Sequence, residues 1–272
     1  MLSFFFPKVS LWGGGMSMRK IFGVIGAIAI AMWCAQAVNA DVLWDNGPFI
    51  THPGGMTGAA AGADRSAISP GGSLFGTGGA GPTLRLADDF QLTAPLSIID
   101  SFTFYAYTTG AGAPTATGLT LRIWSGTPGT GTVIWGDTTT NVMTSTGWLD
   151  GPSGLGVFRT TAADTAGNTR RIQFLTAGGL NINLGPGTYW VDFNYTGTNF
   201  TPVLSSTVDV VPGNAIQSQD GGLTYPFNIL DGPTVQTGLP FLVNGVAIPE
   251  PTMIAPLLGL FGMGLVARRR RK

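Results

Sequence analysis

The sequence predicts an all-β chain folded as a two-sheet antiparallel β-sandwich of jelly-roll type. Three observations carry that prediction. Gly 42 and Pro 18 among 272 residues load the chain with poor helix formers: Gly loses the most backbone entropy, and Pro lacks the amide proton that a helix interior needs. Threonine, whose branched Cβ suits a strand, is abundant. Between residues 41 and 248 no stretch offers two turns of apolar residues at i, i+3, i+4 spacing, whereas several alternate strictly. Hydrophobic residues at 44% suffice for a core, which argues against disorder. One sandwich domain of roughly 200 residues is ordinary for this class.

The first element, residues 1–40, reads as an address. Met18-Arg19-Lys20 opens a positively charged stretch, Ile21 to Trp33 follows as an apolar run, and Ala35-Gln36-Ala37-Val38-Asn39-Ala40 precedes Asp41. A charged start, a short apolar middle and small residues at −3 and −1 make a secretory signal peptide, helical across its apolar run and cut between Ala40 and Asp41, with Ala35 and Ala37 marking a second site. The run is short for a membrane span. Residues 1–15 sit awkwardly before the charged start, which leaves Met16 and Met18 as alternative initiators to Met1. The one cysteine, Cys34, lies in this segment. A chain beginning at Asp41 therefore has no disulfide, thiolate zinc cluster or thiol nucleophile.

Residues 41–83 are Gly-, Ala- and Ser-rich, and we expect a loop region packed on the body with one early strand around Val42–Trp44. Residues 84–247 form the sandwich body. Phe102, Phe104 and Ala106 alternate with Thr103, Tyr105 and Tyr107; Leu119, Leu121 and Ile123 alternate with Thr120, Arg122 and Trp124. Tyr189, Val191, Phe193 and Tyr195 alternate with Trp190, Asp192 and Asn194. Period two puts one set of each strand in a core and turns the other away from it. Shorter runs at 133–135, 156–160, 171–175, 181–184, 203–208 and 241–246 complete nine to twelve expected strands, with Gly-Pro and Pro-Gly turns between them.

Charge narrows the chemistry of this body. Between Asp41 and Ile248 stand 13 Asp and six Arg, with no Glu and no Lys, a formal excess of seven negative charges. Such a surface is a poor partner for nucleic acid, whose binding needs cations against phosphates. His52 is the single histidine, so a Ser-His-Asp site would rest on a lone loop residue with no Gly-x-Ser-x-Gly elbow. A glycosidase pair would have to be built from aspartates alone. We expect no catalytic residue, no metal ligand set and no cofactor. Calcium is the least foreign ion to such loops, with Asp88-Asp89 as its best candidate, although Asp-x-Asp-x-Asp-Gly is absent. Trp124 and Trp190 fall opposite the apolar face of their strands. On one solvent face they would form a flat platform for a sugar ring; under a packed loop they would be structural.

The last element, residues 248–272, is a second address. Pro249-Glu250-Pro251 is followed by fifteen uncharged residues after Thr252, Met253 to Ala267, and then by Arg268, Arg269, Arg270, Arg271 and Lys272. As a helix the apolar run reaches about 22 Å, short of the roughly 30 Å hydrocarbon core, a gap that snorkelling arginines bridge. The basic cluster is a membrane stop held on the cytoplasmic side, with the body outside. A Pro-Glu-Pro motif, a short Leu/Gly-rich transmembrane helix and a terminal basic cluster resemble the PEP-CTERM sorting signal of Gram-negative bacteria. That resemblance implies export through the secretion machinery and signal peptidase, transient anchoring in the inner membrane and cutting by an exosortase. It also implies a final place in the cell envelope or outside, in systems tied to exopolysaccharide and biofilm. In the body, Asp41-Val42-Leu43-Trp44-Asp45-Asn46-Gly47, Ala87-Asp88-Asp89-Phe90, Leu121-Arg122-Ile123-Trp124 and Gly187-Thr188-Tyr189-Trp190 resemble phrases of exported bacterial β-sandwich proteins of unassigned activity. The expectation is a non-enzymatic envelope or matrix protein; the alternative is a module binding exopolysaccharide through surface aromatics.

Overall fold

Strand, turn and irregular chain account for every described residue of the computed structural model, and no helix occurs among them. The structure describes residues 40–55, 62–67, 83–160, 169–198, 200–203, 213–231 and 234–249. The expected signal helix, Glu250, Pro251, the transmembrane helix and the basic cluster from Arg268 to Lys272 lie outside the described residues.

Seventeen strands are described. They begin with β1 (Asp41–Asp45), β2 (Asp64–Ala67), β3 (Arg85–Leu92), β4 (Leu96–Thr109), β5 (Ala116–Ser125) and β6 (Thr132–Gly136). Then come β7 (Met143–Trp148), β8 (Val157–Thr160), β9 (Arg170–Ala177), β10 (Ile182–Leu184), β11 (Gly187–Gly197) and β12 (Phe200–Pro202). The last are β13 (Ile216–Ser218), β14 (Phe227–Asn228), β15 (Leu230–Asp231), β16 (Val235–Gln236) and β17 (Phe241–Ile248).

A nine-stranded sheet runs β1-β17-β4-β9-β8-β2, with β10 and β12 also on β4 and β7 on β9. A six-stranded sheet runs β14-β13-β3-β11-β5-β6, and β15 with β16 makes a small third ladder. Pairing is antiparallel except between β2 and β8, which run parallel. That pair departs from the wholly antiparallel expectation. Nor is the segment 41–83 only loop: besides the expected early strand, Asp64–Ala67 is a fully buried strand despite its polar sequence. Its Arg65 guanidinium lies over the Phe158 ring at 5.3 Å.

Alternation decides the faces of the long strands. Phe102, Phe104 and Ala106 of β4, Leu119, Leu121 and Ile123 of β5 and Val191, Phe193 and Tyr195 of β11 enter one apolar cluster fed by both large sheets. Phe104 packs against Phe193 at a ring separation of 4.1 Å and against Phe241 at 5.9 Å. The opposite face of β4 is covered too, because Tyr105 and Tyr107 join Phe49, Val157, Ile172 and Val203 in a second cluster. A strand buried on both sides need not alternate in polarity, which explains the aromatic run of β4.

The two ends of the described body meet in one ladder. Asp41 of β1 stands opposite Gly245 of β17, and Asp45 opposite Leu242. The start of the first strand and the finish of the last therefore lie at the same end of the nine-stranded sheet.

Candidate functional site

Two adjoining polar patches stand out among the described residues: a cluster on the side of the six-stranded sheet turned away from the core, and a cleft at the β3 edge that is lined from both sides of that strand. Core-directed Tyr189, Val191, Phe193 and Tyr195 fix the register of β11, so Thr188, Trp190, Asp192 and Asn194 point outward. The ladders set Trp190 opposite both Trp124 of β5 and Asp89 of β3, and Thr188 opposite Gln91. Directly opposed residues share a face.

The first patch is sealed. Asp192 is 0% exposed, and three donors converge on its carboxylate: Arg85 Nε on Oδ1, Arg122 Nε on Oδ2 at 2.6 Å and Trp124 Nε1 on Oδ2 at 2.7 Å. Arg85 also donates to Thr120 Oγ1 at 2.9 Å, and Arg122 to Gly222 O and the Tyr225 hydroxyl at 3.0 and 3.1 Å. The Arg122 guanidinium lies 4.8 Å from the Trp124 ring centre, and Tyr225 meets that indole edge-on. Burial alone would lower the Arg122 pKa, but the Asp192 carboxylate turns the net shift upward. Burial raises the Tyr225 hydroxyl, and Asp192 raises it further.

The lid over this patch is the turn between β13 and β14. Asp220 organises it by accepting from Leu223 N, Thr224 N and the hydroxyls of Ser218 and Thr224, bonds that hold its carboxyl below the usual range. Gly222 sits there at φ +88°, where a Cβ would run into Arg122 Nη2 and the Arg85 side chain. Glycine is required by both conformation and space. Trp124, at 6% exposure and hydrogen-bonded to Asp192, is thus a covered indole and offers no flat face to solvent. Trp190, its cross-strand neighbour, remains half-buried. The two candidate indoles share a face, as alternation predicts, but only Trp190 reaches the surface.

The second patch is a cleft of about 390 Å³ beyond the point where β13 leaves β3. Its walls include Trp44, Asp88, Asp89, Gln91, Thr188 and Asn214. Asp88 faces the core side of β3, 1% exposed, and its carboxylate is occupied: Oδ2 accepts from Asn46 Nδ2 and Leu239 N, each at 2.6 Å, and Oδ1 from Asp89 N at 2.9 Å. Burial pushes the Asp88 carboxyl up to about 7, helped by the neighbouring Asp89 charge and opposed by those three donors. Asn46 in turn accepts from Trp44 Nε1 at 3.1 Å, which ties the indole to the wall. Asp88 and Asp89 therefore point to opposite sides of one strand, as neighbours in a strand must. Among the described residues no group of three or more His, Cys, Asp or Glu side chains gathers as metal ligands.

The remaining sequence candidates are simply placed. His52 is exposed in its loop, with Nδ1 2.9 Å from the Thr51 hydroxyl. Ala40 and Asp41 are exposed at the start of β1, and Pro249 is exposed just after β17. Sequence reasoning did not find the Asp192 cluster or the cleft. The available signal was Asp192 among outward positions of an otherwise aromatic strand, a charge that needs partners if covered. No protein-family model, curated protein or solved structure matches this chain.

Proposed function

We propose that the protein is an exported, non-enzymatic component of the cell envelope or extracellular matrix, a jelly-roll-like β-sandwich delivered by two removable terminal segments. In this reading the leader ends at Ala40. The tail of Pro249, Glu250 and Pro251, the apolar span and the Arg268–Lys272 cluster hold the chain at the inner membrane until an exosortase cuts near the motif.

One observation carries the reading. Both expected processing points lie immediately outside paired strands: β1 opens at Asp41 and β17 closes at Ile248. Tolerance of a cut depends on whether hydrogen-bonded, buried backbone is lost. Cutting after Ala40 or beyond Pro249 removes no rung of the β1–β17 or β17–β4 ladders. Asp41 and Ile248 also lie at one end of the sheet, so anchorage through either point would hold the body by the same end.

Replacing Glu250 with Ala is expected to leave the uncut chain in the inner-membrane fraction, while the unchanged protein is recovered from envelope or medium with both ends trimmed. Intact-mass measurement of each fraction reads this directly. Normal maturation of the variant refutes the sorting reading.

A further inference from the structure

We propose that the cleft beside β3 is a binding site for a neutral oligosaccharide, read by Asp89, Gln91, Thr188 and Asn214 beside the indole of Trp44. The cleft's geometry supports this site independently of how the chain is delivered.

A sugar ring needs two things from a protein: a flat apolar surface for its C–H face, and a mixture of donors and acceptors for its hydroxyls. Both are adjacent here. Trp44 lines the cleft, half-buried, with its N–H committed to Asn46 and its ring thereby held in place. The register sets Asp89 and Gln91 of β3 opposite Trp190 and Thr188 of β11 as two successive same-face cross-strand pairs, of which Asp89, Gln91 and Thr188 line the cleft. Among the described residues no hydrogen bond engages the side chains of Asp89, Gln91, Thr188 or Asn214. They offer a carboxylate that accepts from two hydroxyls, two amides that both donate and accept, and a hydroxyl that does either. The cleft volume, about 390 Å³, falls within the roughly 300–1,000 Å³ of small-ligand sites.

Charge selects among sugars. Asp89 faces the ligand, Asp88 lies behind it, and the body carries an excess of seven negative charges with no lysine. A uronate or sulfated chain meets repulsion. A cation meets too few ligands, because Asp88 is taken up by three N–H donors and Asp89 is the one carboxylate left in the wall. A neutral hydroxyl-rich ligand matches what remains.

The test is isothermal titration calorimetry with the full chain in a zwitterionic detergent that carries no sugar headgroup. Cellotetraose, maltotetraose and xylotetraose are the neutral probes; trigalacturonate and calcium chloride are the competing arms. Saturable binding of at least one neutral probe is expected, quenching Trp fluorescence, with affinity lowered about tenfold or more in Asp89→Asn and in Gln91→Ala. Both side chains sit at the cleft surface, so both variants should melt with the parent, and a melting scan verifies that each is folded. Saturation by no neutral probe, binding confined to trigalacturonate or calcium, or unchanged affinity in both folded variants overturns the proposal.

Discussion

Replacing Asp192 with Asn tests what closes the outward face of the six-stranded sheet. The change keeps the shape of the side chain and removes the charge on which Arg85, Arg122 and the Trp124 N–H converge. Deleting one partner of a buried ion pair costs about 3–5 kcal/mol, because the other charge stays buried without compensation. Arg85 is 1% exposed and retains only Thr120 Oγ1 and the Asp192 carbonyl, so its share is nearly the full penalty. The Arg122 side chain is 13% exposed and keeps Gly222 O and the Tyr225 hydroxyl, so its share is smaller. The new amide oxygen still accepts one of the three bonds. The net loss is about 4 kcal/mol, a large part of the 5–15 kcal/mol that holds a typical domain. At about 2–4 °C per kcal/mol for a body of this size, the melting temperature falls by about 8–16 °C. Urea unfolding of the full chain in detergent, followed by Trp fluorescence, reads the free energy. Asp150→Asn is the control, because its pair with Arg171 at 3.0 Å is solvent-exposed and worth at most about 1 kcal/mol. If Asp192→Asn costs no more than Asp150→Asn, the cluster is screened by water and the reasoning fails.

Two further outcomes follow from the packing. Asp88 ionises near 7 in the fold against an ordinary 3.8, so the folded chain binds the extra proton between those values. The contribution of Asp88 to stability is then fullest below about pH 4, falls as pH rises towards 7 and levels off above it. Urea midpoints of the parent should fall from pH 4.5 to pH 7.5 more steeply than those of Asp88→Asn, and equal slopes refute the assignment. Phe104→Ala empties the centre of an aromatic cluster formed with Phe102, Phe193 and Phe241, and should cost about 3–5 kcal/mol by the same unfolding assay. A loss below about 1 kcal/mol there refutes the placement of the shared core.

The strands that sequence reasoning located are those whose two faces differ in chemistry. β5 and β11 alternate because one side meets the common core and the other meets polar partners, and their inward residues are the predicted ones. β3 was harder to read as a strand, because an aspartate, Asp88, occupies an inward position where the pattern calls for an apolar residue. β2, with the sequence Asp-Arg-Ser-Ala, carries no hydrophobic period at all, and its burial depends on β8 some ninety residues away. The run at 203–208 lies largely outside the described residues, while a strand is described just before it, at Phe200–Pro202. Of the candidate binding residues, Trp190 was legible as outward-facing. Gln91, Thr188 and Asn214 were not, since nothing local distinguishes a surface amide beside a cleft from one in open water.

By itself, the sequence determined the all-β class, the inward set of the long strands and the exclusion of thiol chemistry from a chain beginning at Asp41. These depend on composition and on a period of two, both local properties of the chain. Only the tertiary structure decided whether an outward face meets solvent. Trp124 and Trp190 hold equivalent positions in the alternation, yet Trp124 is closed over by a turn whose Gly222 lies 100 residues from Arg122 in the chain, and Trp190 is left half-open beside the cleft. Alternation tells which of two sides a residue takes. What covers that side is set by contacts between distant segments, which no local pattern encodes.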